Sequence, residues 1–135
     1  MRTNTPTLFK ALVIIILLAP SAAAARGQTD EDPCAPEAQR SSQLLACARR
    51  QYAEASSELG RVRSDFYDDL EPRSRAKLKA AERLWLGYRR SNCDAEASVY
   101  EGGTIQPLVH LRCMTRLTRE RSAELRAQLQ TLRGN

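Results

Sequence analysis

From residue 42 onward, apolar side chains recur at spacings of three and four, the repeat that stacks positions on one face of an α-helix. The first stripe is Leu45, Ala48, Tyr52, Ala55, Leu59, Val62 and Phe66, with Arg49, Glu54, Glu58, Arg61 and Asp65 on the opposite face. Ser41 or Ser42 is placed to cap this helix, its hydroxyl accepting from an early backbone N–H. Leu70-Glu71-Pro72 closes it, because proline opposes helical geometry in the residue before it and suits the first turn of a new helix. The second stripe is Leu78, Ala81, Trp85, Tyr88 and Asn92, widened by Leu84, and it fades by Tyr100. Gly102-Gly103 can take the positive φ that ends a helix and turns the chain. Thr104 is a cap for the next helix, and Pro107 is tolerated within its first turn. The third stripe is Leu111, Met114, Thr118, Arg121, Leu125, Gln128 and Leu132, flanked by Leu117 and Leu129. No internal repeat and no strand-like alternation is visible. The pattern predicts an all-α fold of three long antiparallel helices.

The positions before residue 42 read differently. Arg2 and Lys10 precede an apolar run, Ala11 to Ala19, and Ser21-Ala22-Ala23-Ala24-Ala25 follow. That is the charged, apolar and small-residue order of a secretory signal peptide, and the run is too short for the ~20 residues of a membrane span. The expected organisation is a leader at 1–25, an irregular polar arm at 26–41 containing Pro33 and Pro36, and a three-helix domain at 42–135. Removing Arg2 and Lys10 with the leader lowers the net charge from +5 to +3. The remaining charges are interspersed in sign and form no basic stripe, which argues against a nucleic-acid partner. With the leader gone, nothing in the chain calls for a membrane.

The four cysteines are Cys34, Cys47, Cys93 and Cys113. An even number in a short exported chain reads as two disulfides with three connectivities open. Zinc fits poorly, since there is no C-x-x-C pair and His110 is the one histidine. Cys93 and Cys113 lie nearly equal distances on either side of Gly102-Gly103, so a helical hairpin brings them level. This favours Cys93–Cys113 with Cys34–Cys47, the latter requiring a non-helical arm that folds back. Cys47–Cys93 with Cys34–Cys113 is the rival, because Cys47 and Cys93 are also similarly spaced about Pro72. The same level-matching sets Arg121 opposite Trp85 and near Glu82. An unpaired guanidinium on an apolar seam is costly, so an Arg121–Glu82 ion pair beside the Trp85 ring is expected. The alternative is that Arg121 reaches water along its aliphatic stem. Arg89 and Arg90 read as an exposed pair.

The run W-L-G-Y-R-R-S-N-C from Trp85 to Cys93, E-G-G-T from Glu101 to Thr104, and C-M-T-R-L-T-R-E-R-S-A-E-L from Cys113 to Leu125 resemble the LprI-like lysozyme-inhibitor domain of exported bacterial proteins. The matching residues are Trp85, Arg89, Cys93, Gly102, Gly103, Cys113, Leu117, Thr118 and Arg121, with Cys34, Cys47, Ala48 and Tyr52 fitting the opening. The chain departs from that pattern at Glu82, where the family often has Gln, and at Arg90, where it often has Asp. Ser56 and Gly60 replace an Asp and an Asn. The resemblance implies a helical, non-catalytic binding module, periplasmic or secreted, that inhibits lysozyme.

A partner surface is expected at the turn through Tyr100, Glu101, Gly102, Gly103 and Thr104, joined by Arg89 and Arg90 if these lie near the same end. An inhibitor acting there would fill the cleft in which two carboxylates cleave the glycan. A net charge of +3 provides no long-range attraction to a basic lysozyme. The other reading is a structural or scaffolding module of the envelope with an unknown protein partner. An enzyme is not expected: oxidised cysteines supply no thiol nucleophile, His110 stands alone, and a thin bundle seldom forms a deep pocket. No cofactor is implied. The polar residues Thr118 and Gln128 in the third stripe argue against a second adhesive face and favour a monomer.

Overall fold

The computed structural model describes residues 32–37 and 40–134, within the compact unit Glu31–Asn135. The leader at 1–25 and, in the arm at 26–41, residues 26–31, 38 and 39 lie outside the described residues. Three helices follow in order: α1 at Ser41–Asp68, α2 at Pro72–Ser98 and α3 at Gln106–Gly134. Each spans roughly 40 Å at ~1.5 Å per residue. Ser41 is already helical, and the first turn is closed by the Gln43 side chain accepting from the Arg40 N–H at 3.2 Å. The 69–71 connection is fastened by Arg75, whose Nε donates to the Leu70 carbonyl at 2.6 Å. A cation on the last carbonyls of a helix suits the negative end of its dipole.

The bundle is organised around α3, which packs against both α1 and α2 while those two barely touch. The α1 stripe faces inward as the spacing predicts, with Ala48, Ala55, Leu59, Val62 and Phe66 buried. One core cluster joins Leu59, Val62 and Phe66 of α1 to Leu125 and Leu129 of α3, with Leu78 and Trp85 against it. A second surrounds Cys93, Cys113 and Leu117, with Trp85 and Met114 against it. Trp85 is common to both and seals one to the other.

Two of the stripes differ from the sequence reading. In α2 the buried residues are Glu82, Cys93 and Ala97, while Ala81, Leu84 and Tyr88 face water. Leu84 is 78% exposed and Tyr88 57%. In α3 Gln128 and Leu132 face out, and Thr115, Thr118 and Ser122 are buried. A helix that packs on two neighbours needs a wider inward face than one stripe provides. Thr115 and Ser122 are added to the stripe that already held Thr118, and each of the three hydroxyls donates to the carbonyl four residues earlier. Thr115 bonds Leu111 at 2.8 Å, Thr118 bonds Met114 at 2.6 Å and Ser122 bonds Thr118 at 3.0 Å. Buried hydroxyls paired in this way avoid the penalty of an unsatisfied donor.

Candidate binding surfaces

The turn between α2 and α3 is built from local backbone bonds. The N–H groups of Tyr100, Glu101 and Gly103 donate to the carbonyls of Ala97, Ser98 and Tyr100 at 3.0, 3.1 and 2.9 Å. Gly102 has φ 77°, a left-handed conformation that favours glycine. Below this turn Cys93 and Cys113 are bonded, with Cα atoms 5.5 Å apart, so the two helix ends are covalently joined at the root of the tip. The tip leaves Val99, Tyr100 and Ile105 in water, Val99 at 79% exposure, beside the exposed Glu101. Thr104, expected as a cap, lies in the turn two residues before α3 begins.

Cys34 and Cys47 form the other disulfide, with Cα atoms 4.9 Å apart. The arm is non-helical at 32–37, and Asp32 ties it to α1 through Arg50 Nη1 at 2.7 Å. The Cys34 backbone N–H, which donates to Asp32 Oδ1 at 2.9 Å, and the Arg50 side chain hold the Asp32 carboxyl below its ordinary value.

Two cavities flank the tip and share Leu45. One, of about 430 Å³, is lined by Leu45, Arg49, Ala97, Pro107 and an Asp94–His110 pair 3.1 Å apart. The other, of about 250 Å³, lies against Leu44, Thr104, Ile105 and Leu108.

Midway along the bundle a layer of polar side chains crosses the core. Arg121 donates to Oε1 of Glu82 from Nη2 at 2.6 Å and from Nε at 3.0 Å, and to Glu124 from Nη1 at 3.0 Å. Its guanidinium carbon lies 5.9 Å from the Trp85 ring centroid. Desolvation by itself lowers the Arg121 pKa; the hydrogen bonds and charges of Glu82 and Glu124 outweigh it and hold the group above its usual value.

Arg89 is not one of an exposed pair. Its guanidinium carbon is 4.9 Å from the Trp85 centroid and 5.7 Å from that of Tyr52, and Nη1 donates to Thr118 Oγ1 at 2.7 Å. Arg90 faces water. Ten residues of helix, roughly 15 Å, separate Arg90 from Tyr100, so the arginines and the turn form two distinct surfaces. Among the described residues no group of three or more His, Cys, Asp or Glu is placed to hold a metal ion. No described helix is long and apolar enough to cross a membrane.

Three helices around α3, stapled by two disulfides and turning through an exposed apolar tip, define the class: a small disulfide-linked helical bundle. The sequence model of the family described as Lysozyme inhibitor LprI matches residues 34–125, and the chain belongs to that family. It is also similar to an uncharacterized protein of Rhizobium meliloti (strain 1021), with 34% identity over 74 residues that cover 55% of this chain and 50% of that relative. The chain therefore spans about half the length of the curated relative it matches. Comparison with solved structures returns no match.

Proposed function

We propose that the protein is an exported, non-catalytic inhibitor of a lysozyme or related cell-wall hydrolase, working as a monomer in the periplasm or outside the cell. The observation that carries this reading is the tip of a chain belonging to the LprI family: Val99, Tyr100 and Ile105 stand exposed on a turn whose root is clamped by Cys93–Cys113. A protruding apolar segment that is already rigid loses little entropy on entering a cleft. The tip carries the carboxylate of Glu101 and no cation from 99 to 105, so its local sign suits a basic enzyme although the net charge does not. Two disulfides fit an oxidising compartment.

The test is the lysis rate of a cell-wall suspension by lysozyme with rising amounts of the purified, oxidised protein. The expected result is saturable inhibition, weakened at least ~10-fold in Tyr100→Ala combined with Ile105→Asp, a loss typical of truncating an interface anchor. Undiminished lysis at excess protein would reject the reading. One observation favours the scaffolding alternative: Leu84 and Tyr88, one turn apart on the outer face of α2, are both exposed, and neighbouring apolar side chains in water can meet another protein.

A further inference from the structure

Between α1 and α2 lies a groove of about 400 Å³, lined by Tyr52, Leu86, Gly87, Arg89, Arg90 and Met114. Arg89 is held there between the rings of Trp85 and Tyr52. Its hydrogen bonding is incomplete: Nη1 reaches Thr118, and Nε is buried with no acceptor. Among the described residues no carboxylate lies within ion-pair distance of Arg89 or Arg90. The contrast is with Arg121, on the same Trp85 ring, which has both Glu82 and Glu124. A guanidinium serving structure alone would be matched as Arg121 is. Arg89 is fixed in place and left without an anion.

We infer that this groove is a binding site for a small carboxylate, the free carboxyl end of an N-acylated apolar amino acid. A planar guanidinium presents the fork that a carboxylate accepts, and Arg90 adds a second positive charge at the opening. Half-buried Tyr52 and Met114, with Leu86 at the rim, provide apolar walls for the side chain beside the carboxyl group. A phosphate suits the groove less well, since its further oxygens would face walls whose one neutral side-chain donor is the Tyr52 hydroxyl. A free amino acid is disfavoured too, because no carboxylate lines the groove to receive its ammonium group. The volume is that of a small-molecule site. This assignment does not depend on lysozyme inhibition, which is placed at the tip.

Trp85 is the single tryptophan of the chain and touches Arg89, so its fluorescence reports on the groove. The experiment titrates the oxidised protein with N-acetyl-leucine, with its amide and with acetate. The acid is expected to bind with a Kd of about 1 mM, as strongly as a ligand of about a dozen heavy atoms commonly does. The amide and acetate should each bind at least ~10-fold more weakly, the one lacking the charge and the other the apolar contact. Arg89→Gln should abolish binding. Arg90→Gln, exposed and unpaired, should weaken binding roughly threefold with an unchanged melting curve, the size of a partly screened charge contact. Equal binding of acid and amide, equal binding of acid and acetate, no saturation by about 20 mM acid, or indifference to both substitutions would each overturn the assignment.

Discussion

Replacing Arg121 by leucine removes the one partner that Glu82 has. Glu82 is 4% exposed, its Oε1 takes both bonds from Arg121, and its Oε2 is buried without a partner. The variant therefore strands a carboxylate in the core. Two charges ~4 Å apart attract by about 4 kcal/mol at an effective dielectric near 20. Breaking a buried pair from one side commonly costs about 3–5 kcal/mol. For a domain of this size 1 kcal/mol is worth at least ~4 °C in melting temperature, so a fall of roughly 12–20 °C is expected.

The loss of the guanidinium's packing on Trp85 is included in that figure, and a double-mutant cycle separates it. Glu82→Leu with Arg121→Leu removes both charges and should recover most of the stability, since paired apolar replacements are often neutral. Glu82→Gln keeps an acceptor for Arg121 and should cost less than about 2 kcal/mol. Urea unfolding of the oxidised proteins measures these three variants and the Glu82→Leu single that completes the cycle. If Arg121→Leu unfolds within about 1 kcal/mol of the parent, or the cycle is additive, the clamp is not what holds this layer together.

Three further outcomes are expected. Removing Cys93–Cys113 by paired serine substitution frees a loop of sequence separation 20 and should cost about 3 kcal/mol in urea unfolding, with faster proteolysis at the tip. Removing Cys34–Cys47 should release the arm and move the unfolding midpoint less, because among the described residues the buried core all lies on the three helices. Gly102→Ala meets no atom within 4 Å of the added Cβ, so its cost is the left-handed backbone alone, about 1–2 kcal/mol in denaturant unfolding. The Asp32 carboxyl is held below its ordinary value first by the Cys34 N–H and then by Arg50, so the arm's tether is complete above the unfolded value of ~3.9 and fails as pH falls through the lower folded value. Protection of the Cys34 amide, its exchange rate taken relative to the intrinsic rate at each pH, should therefore fall only in that acid range; loss of protection between pH ~7 and ~5 would contradict the assignment.

Much of the fold is legible because α1 is an ordinary one-sided helix whose apolar positions are its buried positions. The resemblance to the LprI family also pointed to the right class. In α2 the expected stripe holds at Leu78 and Trp85, and Glu82 lies beside Arg121 as level-matching places it, but Leu84 and Tyr88, expected inside because they are apolar, point out. A signal was available: Cys93 must face α3 to meet Cys113, and stepping back from it by fours and threes gives Arg89, Trp85, Glu82 and Leu78. Three of these lie among the residues packed inside, and Arg89 is half-buried. In α3 the stripe includes the buried Thr118 but not Thr115 and Ser122, which read as surface until their hydroxyls are seen turned onto the helix's own carbonyls. The Arg89 groove was invisible for a related reason. Tyr52 is 37 positions away in sequence, and nothing in the spacing brings its ring to that guanidinium.

The phase of α2 also accounts for its apolar outer face. Burying Leu84 and Tyr88 instead would recover roughly 1.5–3 kcal/mol for each large side chain. Turning α2 to do so would carry Cys93 away from Cys113 and Glu82 away from Arg121. The disulfide and the clamp together are worth about 3 and 3–5 kcal/mol, and turning would also take Trp85 out of the junction between the two core clusters. The balance favours the observed phase, with the covalent bond deciding it. Leu84, Tyr88 and Val99 thus stay in water because the register is locked from the other side of the helix.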